Sequence, residues 1–184
     1  MPKETTLFLR QFLSNPLQVA SVVPSSRFLA RAMAQGLGPN SGRVVEFGPG
    51  TGVLTSGILE TGLPPENLSL YEMSPSFSTL LRQKFPNIAV HNAPAQSVVG
   101  NVEPGVEAVI SGLPLLSMPM AVRESIVKAA FEILGPNGRY VQFTYGAKPA
   151  LSAEQLSRLG LKVVAGPKVW LNIPPARIFI FQRA

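Results

Sequence analysis

The run Val45-Glu46-Phe47-Gly48-Pro49-Gly50-Thr51-Gly52 constrains the fold more than any other feature of the chain. The apolar stretch from Val44 to Phe47 enters a turn holding three glycines, and a helical pattern to about Glu60 leaves it. Strand, glycine turn and helix in that order make a nucleotide-binding turn, because glycine allows a tight reversal and a close ligand approach. Glu72 stands 20 residues past Gly52, at the end of the next apolar run, Leu68 to Glu72. A carboxylate there can accept both hydroxyls of a ribose.

The same rhythm continues along the chain. Ser74-Pro75 starts a helix to about Phe85, and Ile88 to Val90 is a third strand. Val106 to Ile110 is a fourth strand, Met120 to Leu134 a helix stopped by Gly135-Pro136-Asn137-Gly138, and Tyr140 to Tyr145 a fifth strand. After a short helix from Ser152 to Leu159, Leu161 to Val164 with Val169 to Leu171, then Arg177 to Phe181, form a closing pair of strands. Alternation of this kind predicts a doubly wound α/β fold, a mostly parallel sheet with helices on both faces. The last two strands lack a helix between them and should pair antiparallel. Before the glycine turn, Ser25-Ser26 caps a helix with Phe28, Leu29, Ala32 and Met33 on one face.

Composition narrows the chemistry. A chain of 184 residues with 46% hydrophobic and 14% charged residues is one ordered globular unit. No Cys and a single His argue against thiol chemistry and a metal cage, so no metal is expected. The longest uncharged apolar stretch, Ala108 to Val122, is 15 residues long and holds two prolines, too short to span a bilayer. The net charge of +6 is unevenly spread: residues 1–43 carry +4, residues 44–138 carry −4 and residues 139–184 carry +6. Two basic ends point to one polyanionic partner, nucleic acid or anionic lipid. Phe8, Leu9, Phe12 and Leu13 beside Lys3 and Arg10 have the pattern of an interfacial helix, or of a helix packed on the sheet.

The turn lacks the G-x-G-x-x-G spacing of a dinucleotide fold and has an acidic residue two places before its first glycine. In this it resembles motif I of the S-adenosylmethionine-dependent methyltransferases. That resemblance implies a Rossmann-like class I fold, a seven-stranded sheet closing in an antiparallel hairpin, and S-adenosylmethionine as cofactor with S-adenosylhomocysteine as product. It places Glu46, Gly48, Gly50, Thr51 and Gly52 at the cofactor, with Glu72 on the ribose and Met73 on the adenine. Asn92 and Ala93, just past the third strand, would meet the adenine edge with a polar side chain and a backbone N–H. His91 beside them is a loop residue or, less simply, a base. Ser111, ending the fourth strand, joins the cofactor set.

Ser111-Gly112-Leu113-Pro114 decides among methyltransferases. Nucleic-acid adenine N6-methyltransferases carry Asn where Gly112 stands and an aromatic where Leu115 stands, and they need both to hold a flipped base. The turn followed by Val53-Leu54-Thr55 resembles the ribosomal RNA adenine dimethyltransferases, which remain the alternative. More of the chain resembles the bacterial soluble phospholipid N-methyltransferases, which carry phosphatidylethanolamine towards phosphatidylcholine. That likeness rests on Asn15-Pro16, on Val23-Pro24-Ser25-Ser26-Arg27 with Leu29-Ala30 and Ala32-Met33, on the glycine turn, on Ser111 to Pro114, and on Gln142-Phe143-Thr144-Tyr145.

The resemblance implies a phospholipid substrate, peripheral association with an anionic membrane surface on the cytoplasmic side, no nucleic-acid partner, and a monomer. Residues 1–40 then form an N-terminal amphipathic extension for docking and lid, with Lys3, Phe8, Leu9, Arg10 and Phe12 at the membrane, and residues 41–184 the catalytic domain. Tyr145, at the carboxyl end of the fifth strand, is the expected catalytic residue. It shares the rim with Lys168, Trp170 and Arg177, of which Arg177 best suits a phosphate.

Overall fold

Val44 to Phe47 form β1, buried along its whole length, and this strand sits in the middle of a sheet that organises the molecule. The structure is a computed structural model that describes residues 26–184. The expected membrane segment with Lys3, Phe8, Leu9, Arg10 and Phe12 lies outside the described residues. Around β1 the described residues form β2 (Leu68–Tyr71), β3 (Ala89–His91), β4 (Val106–Ser111), β5 (Leu134–Thr144), β6 (Leu161–Val169) and β7 (Ala176–Arg183). Their order across the sheet is β3-β2-β1-β4-β5-β7-β6. β7 alone runs against its neighbours, pairing antiparallel with β5 and β6. This is the doubly wound arrangement expected from the alternation of strand and helix, and its seven strands with an antiparallel closing hairpin are what the resemblance to the methyltransferases implies.

Alternate residues of each strand feed two apolar layers, as the period of two requires. On one face Val44, Leu68, Leu70, Ile110, Val141 and Ile178 pack under α1 (Arg27–Met33), α2 (Val53–Leu59) and α3 (Pro75–Lys84). On the other, Val45, Phe47, Val109, Tyr140 and Phe181 pack under α4 (Met120–Ile133) and α5 (Ala153–Arg158). Ser26, Ser74 and Ser152 cap α1, α3 and α5 through their side chains, each satisfying a backbone N–H that the helix leaves free.

α1 is an integral layer of this core. Leu29 and Met33 are fully buried, each contributing about 1.5–3 kcal/mol. The buried face differs from expectation: Leu29, Ala30, Met33 and Ala34 point inward, while Phe28 is exposed beneath the Arg27 guanidinium. Ala30 gains its place from Gly57 of α2, where an added Cβ would lie 2.6 Å from the Ala30 Cβ.

Two expected boundaries are corrected. Gly135 to Gly138 do not separate helix from strand; β5 begins at Leu134 and carries them as an excursion. Val106 pairs with Leu134 and Ala108 with Arg139, so the extra residues bulge out opposite Glu107. β6 is one strand through Val169, and the pairing merely slips between Ala165 and Lys168. Pro167 is tolerated there because β6 is the sheet edge, while Leu171 lies beyond the strand.

Candidate functional site

The carboxyl ends of β1, β2 and β4 meet at the glycine turn. Gly48 N–H donates to Tyr71 O at 3.0 Å and Gly112 N–H to Phe47 O at 2.8 Å, so both neighbouring strands fasten it. Gly50 has φ +55°, and a Cβ added to it would meet no atom within 4 Å. It therefore floors a cradle that any other side chain would fill. Thr51 is exposed beside it, its carbonyl oxygen accepting from Lys84 Nζ at 3.2 Å.

Glu72 closes one side of the cradle. Its Oε2 accepts from Gly50 N–H at 3.1 Å and its Oε1 from Ser74 N–H at 2.8 Å. Burial raises its carboxyl above the usual range, against the pull of those amide donors. Glu46 lies behind the turn, fully buried, with Oε2 accepting from Thr55 Oγ1 at 2.7 Å and Oε1 unpartnered. Burial pushes its carboxyl up to about 8; the Thr55 hydroxyl opposes the shift and the Glu72 charge adds to it. A lone buried acceptor of this kind is stabilised as an anion by a cation placed over the turn. These acceptors thus fit an adenosyl cofactor bearing an α-ammonium and a sulfonium.

Asn92 Nδ2 donates to the carbonyls of Glu72 (2.9 Å) and Met73 (3.0 Å), leaving Oδ1 as its acceptor. Met73 and Ala93 pack partly buried against the core next to it. The expected free donor at Ala93 is corrected: its N–H bonds Glu72 O at 3.1 Å, extending the β2–β3 pairing by one residue. His91 stacks on Tyr71 at 4.6 Å, and burial with the Arg82 charge lowers its pKa. It belongs to β3, with β2, β1 and β4 between it and β5.

Ser111 is also corrected. It is fully buried and its hydroxyl accepts from Leu113 N–H at 3.4 Å, so it braces the turn after β4 from within instead of facing the cradle. Beside it Tyr140 Oη donates to Gln142 Oε1 at 2.8 Å, and Gln142 Nε2 donates to Leu113 O at 2.9 Å. This buried network fixes Ser111 to Pro114. Gly112 is there for lack of room, since a Cβ would lie 2.7 Å from Gly48 O.

The other half of the site is the rim formed by β5, β7 and β6. Tyr145 follows β5, is 41% exposed, and meets Phe143 edge-on at 5.5 Å. Its phenol is raised by burial and hydrogen-bonded with the Asn172 side chain. Thr144, Arg177 and Lys168 pair in one row across the three strands. Lys168 Nζ lies 3.7 Å from the centre of the Trp170 ring. The site residues predicted on this rim therefore come together at one edge.

Gln142 and Asn172 carry no expected role from the sequence. Asn172 is buried; its Oδ1 accepts from Ser26 N–H at 2.8 Å and its Nδ2 donates to Pro174 O at 2.8 Å. Its one signal is a polar residue set between Leu171 and Ile173, which marks a buried anchor only once the fold is known.

No protein-family model matches the chain. The glycopeptide N-methyltransferase MtfA, in complex with S-adenosylmethionine, superposes with a TM-score of 0.68 at 16% identity, over 86% of this chain and 94% of that one. The Burkholderia thailandensis 1,6-didemethyltoxoflavin-N1-methyltransferase, bound to its substrate and S-adenosylhomocysteine, superposes with a TM-score of 0.70 at 16% identity, over 100% and 91%. These likenesses show the fold. The ornithine lipid N-methyltransferase of Singulisphaera acidiphila is 32% identical over 154 residues, covering 77% of this chain and 78% of that protein. With that identity and coverage, and with a cradle that fits the adenosyl cofactor, the chain belongs to the S-adenosylmethionine-dependent lipid N-methyltransferases of the class I fold.

Proposed function

We propose that the chain methylates the amine of phosphatidylethanolamine, and of its mono- and dimethyl products, towards phosphatidylcholine. The observation that carries this reading is the turn after β4. Base methylation needs an Asn in the place of Gly112, and Gly48 O leaves no space for its Cβ. The 32% identity to an ornithine lipid N-methyltransferase supports a lipid amine and favours one second reading, the amine of an ornithine lipid. The ribosomal RNA alternative has no comparable support.

Glu72 keeps lone pairs beyond those taken by Gly50 and Ser74, and these receive the ribose hydroxyls. Met73 lies against the adenine, Asn92 Oδ1 accepts from its amine, and Glu46 serves the α-ammonium. Gly48, Gly50, Thr51 and Gly52 let the backbone approach. When bound, S-adenosylmethionine supplies an activated methyl group.

The protein's own work is positioning: a neutral amine must be held in line about 3 Å from that methyl group, with water expelled. The Tyr145 phenol is protonated at neutral pH, as a phenol ordinarily is, and burial only strengthens this; its oxygen accepts from an amine N–H and aims the nitrogen lone pair. Its ring then receives the methylated ammonium by cation–π contact. Arg177, with Lys168 opposite it, holds the lipid phosphate, and Trp170 flanks the head group. In this reading the protein sits peripherally on the inner face of the cytoplasmic membrane; of the expected docking and lid extension, residues 1–40, α1 is core and the segment before it is left for that role.

The test is transfer of radiolabelled methyl groups, side by side, to vesicles containing phosphatidylethanolamine, to vesicles containing ornithine lipid, and to ribosomal RNA. Label in phosphatidylethanolamine is the expected result. Label in ornithine lipid alone selects the second reading, and label in RNA alone overturns both.

A further inference from the structure

The loop from residue 170 to 175 joins β6 to β7 at the end of the sheet where β1, β4 and β5 also finish. Trp170 is 68% exposed, Leu171 65% and Ile173 80%. Single exposed apolar side chains are ordinary, but three within four residues form a patch that needs a partner. The loop is held from within by Asn172, whose side chain bonds Ser26 N–H and Pro174 O. With Asn172 buried, Leu171 and Ile173 on either side of it stand in solvent.

Behind the apolar tip lies positive charge. Arg177 and Lys168 are cross-strand partners, an arrangement of like charges that costs stability unless an anion is shared. Neither takes part in an ion pair among the described residues, and no Asp or Glu follows Glu154 in the chain. Lys168 lies over the Trp170 ring, so the charge and the largest apolar side chain form one unit. An apolar tip above a cationic collar matches the layers of a bilayer surface, with acyl carbon inside and phosphate above it. Trp suits the boundary between them.

We propose that the β6–β7 loop is a membrane-insertion element: Trp170, Leu171 and Ile173 enter the edge of an anionic phospholipid bilayer while Lys168 and Arg177 rest on its phosphates. Charge selects this occupant over the N-terminal segment of the chain itself. Residues 1–25 carry Lys3 and Arg10 against Glu4, a net positive charge that does not complement the collar, whereas anionic lipid does. Insertion also sets the depth of the site, because Tyr145 bonds Asn172 of the same loop. The inference rests on the lipid reading above and adds to it the surface that meets the lipid.

Trp170 is the chain's one tryptophan, so its emission reports on this loop alone. Full-length protein is mixed with vesicles of phosphatidylethanolamine and phosphatidylglycerol, some with acyl chains brominated near the head group. Emission should shift to the blue and be quenched by the brominated lipid. The double variant Leu171→Ser, Ile173→Ser should partition onto the vesicles about tenfold more weakly, yet methylate a short-chain, monomeric phosphatidylethanolamine at the parent rate. Unchanged Trp170 emission on vesicles that sediment the protein overturns the insertion. Methyl transfer to vesicle lipid with emission unmoved overturns the insertion alone. Insertion without methyl transfer to either substrate overturns the proposed function and leaves the docking surface standing.

Discussion

Glu46 is an acid held where its anion is poorly supported, and that has consequences on both sides of the binding equilibrium. Its folded value of about 8 stands above the ordinary 4.5, so between those values the folded protein holds a proton that the unfolded chain has released. Its contribution to stability is full below about pH 4.5 and is lost as pH rises through about 8. Denaturant unfolding of the cofactor-free protein at pH 5, 7 and 9 should show that decline, and Glu46→Gln should flatten it. Binding a cationic cofactor should favour the carboxylate and expel the proton. Calorimetric enthalpy near pH 7 should then vary with the buffer's own ionisation enthalpy in the parent protein and not in Glu46→Gln. Gly50→Val puts a branched side chain into the cradle at φ +55°, so calorimetry on the folded variant should find cofactor binding lost. Tyr145→Phe removes the acceptor for the amine and keeps the ring: kcat should fall by about 10- to 100-fold with cofactor affinity unchanged. An unaltered kcat would return Tyr145 to packing.

Among the elements, the sequence was most legible where one local signal was enough. Ser26 and Ser74 announce α1 and α3, because a short hydroxyl side chain meets a need at each helix start that no distant residue supplies. β1 could be read as buried because its four residues are packed on both faces. Gly135 to Gly138 misled because their turn chemistry is real, yet β4 had already recruited Leu134 into the sheet before the turn. The face of α1 misled because Ala30, small and unremarkable in sequence, fits against Gly57, while the larger Phe28 is left exposed beneath Arg27. The turn after β4 permits a direct test of crowding. In Gly112→Ala the new methyl group must displace Gly48 O, and stability should fall by about 1–3 kcal/mol. Thermal unfolding with and without cofactor measures it, and a loss of affinity beyond the loss of stability would show that the glycine turn has moved.

For the molecule as a whole, the two halves of the site differ in how the chain builds them. The cofactor half comes from one continuous motif and the strand after it, so Glu46 and Glu72 could be named from sequence. The rim is assembled from distant parts of the chain: Tyr145 could be placed there as the end of a strand, whereas Asn172 is tied to Ser26 across 146 positions and left no spacing to read. Charge behaves as a global property too. A variant lacking residues 1–13 should retain cofactor affinity, since the cradle lies in the later chain. It should bind anionic vesicles more weakly, and salt should weaken both proteins by screening the remaining Lys and Arg. Co-sedimentation at low and physiological salt measures both effects; equal binding would confine docking to the C-terminal rim. The position of β7 carries a cost of another kind. It lies inside the sheet although the edge strand β6 precedes it in the chain, so during synthesis β5 waits with an unpaired, apolar flank, Tyr140 to Thr144, until Ala176–Arg183 arrives. Until then that flank is an open strand edge, a ready template for pairing with another chain.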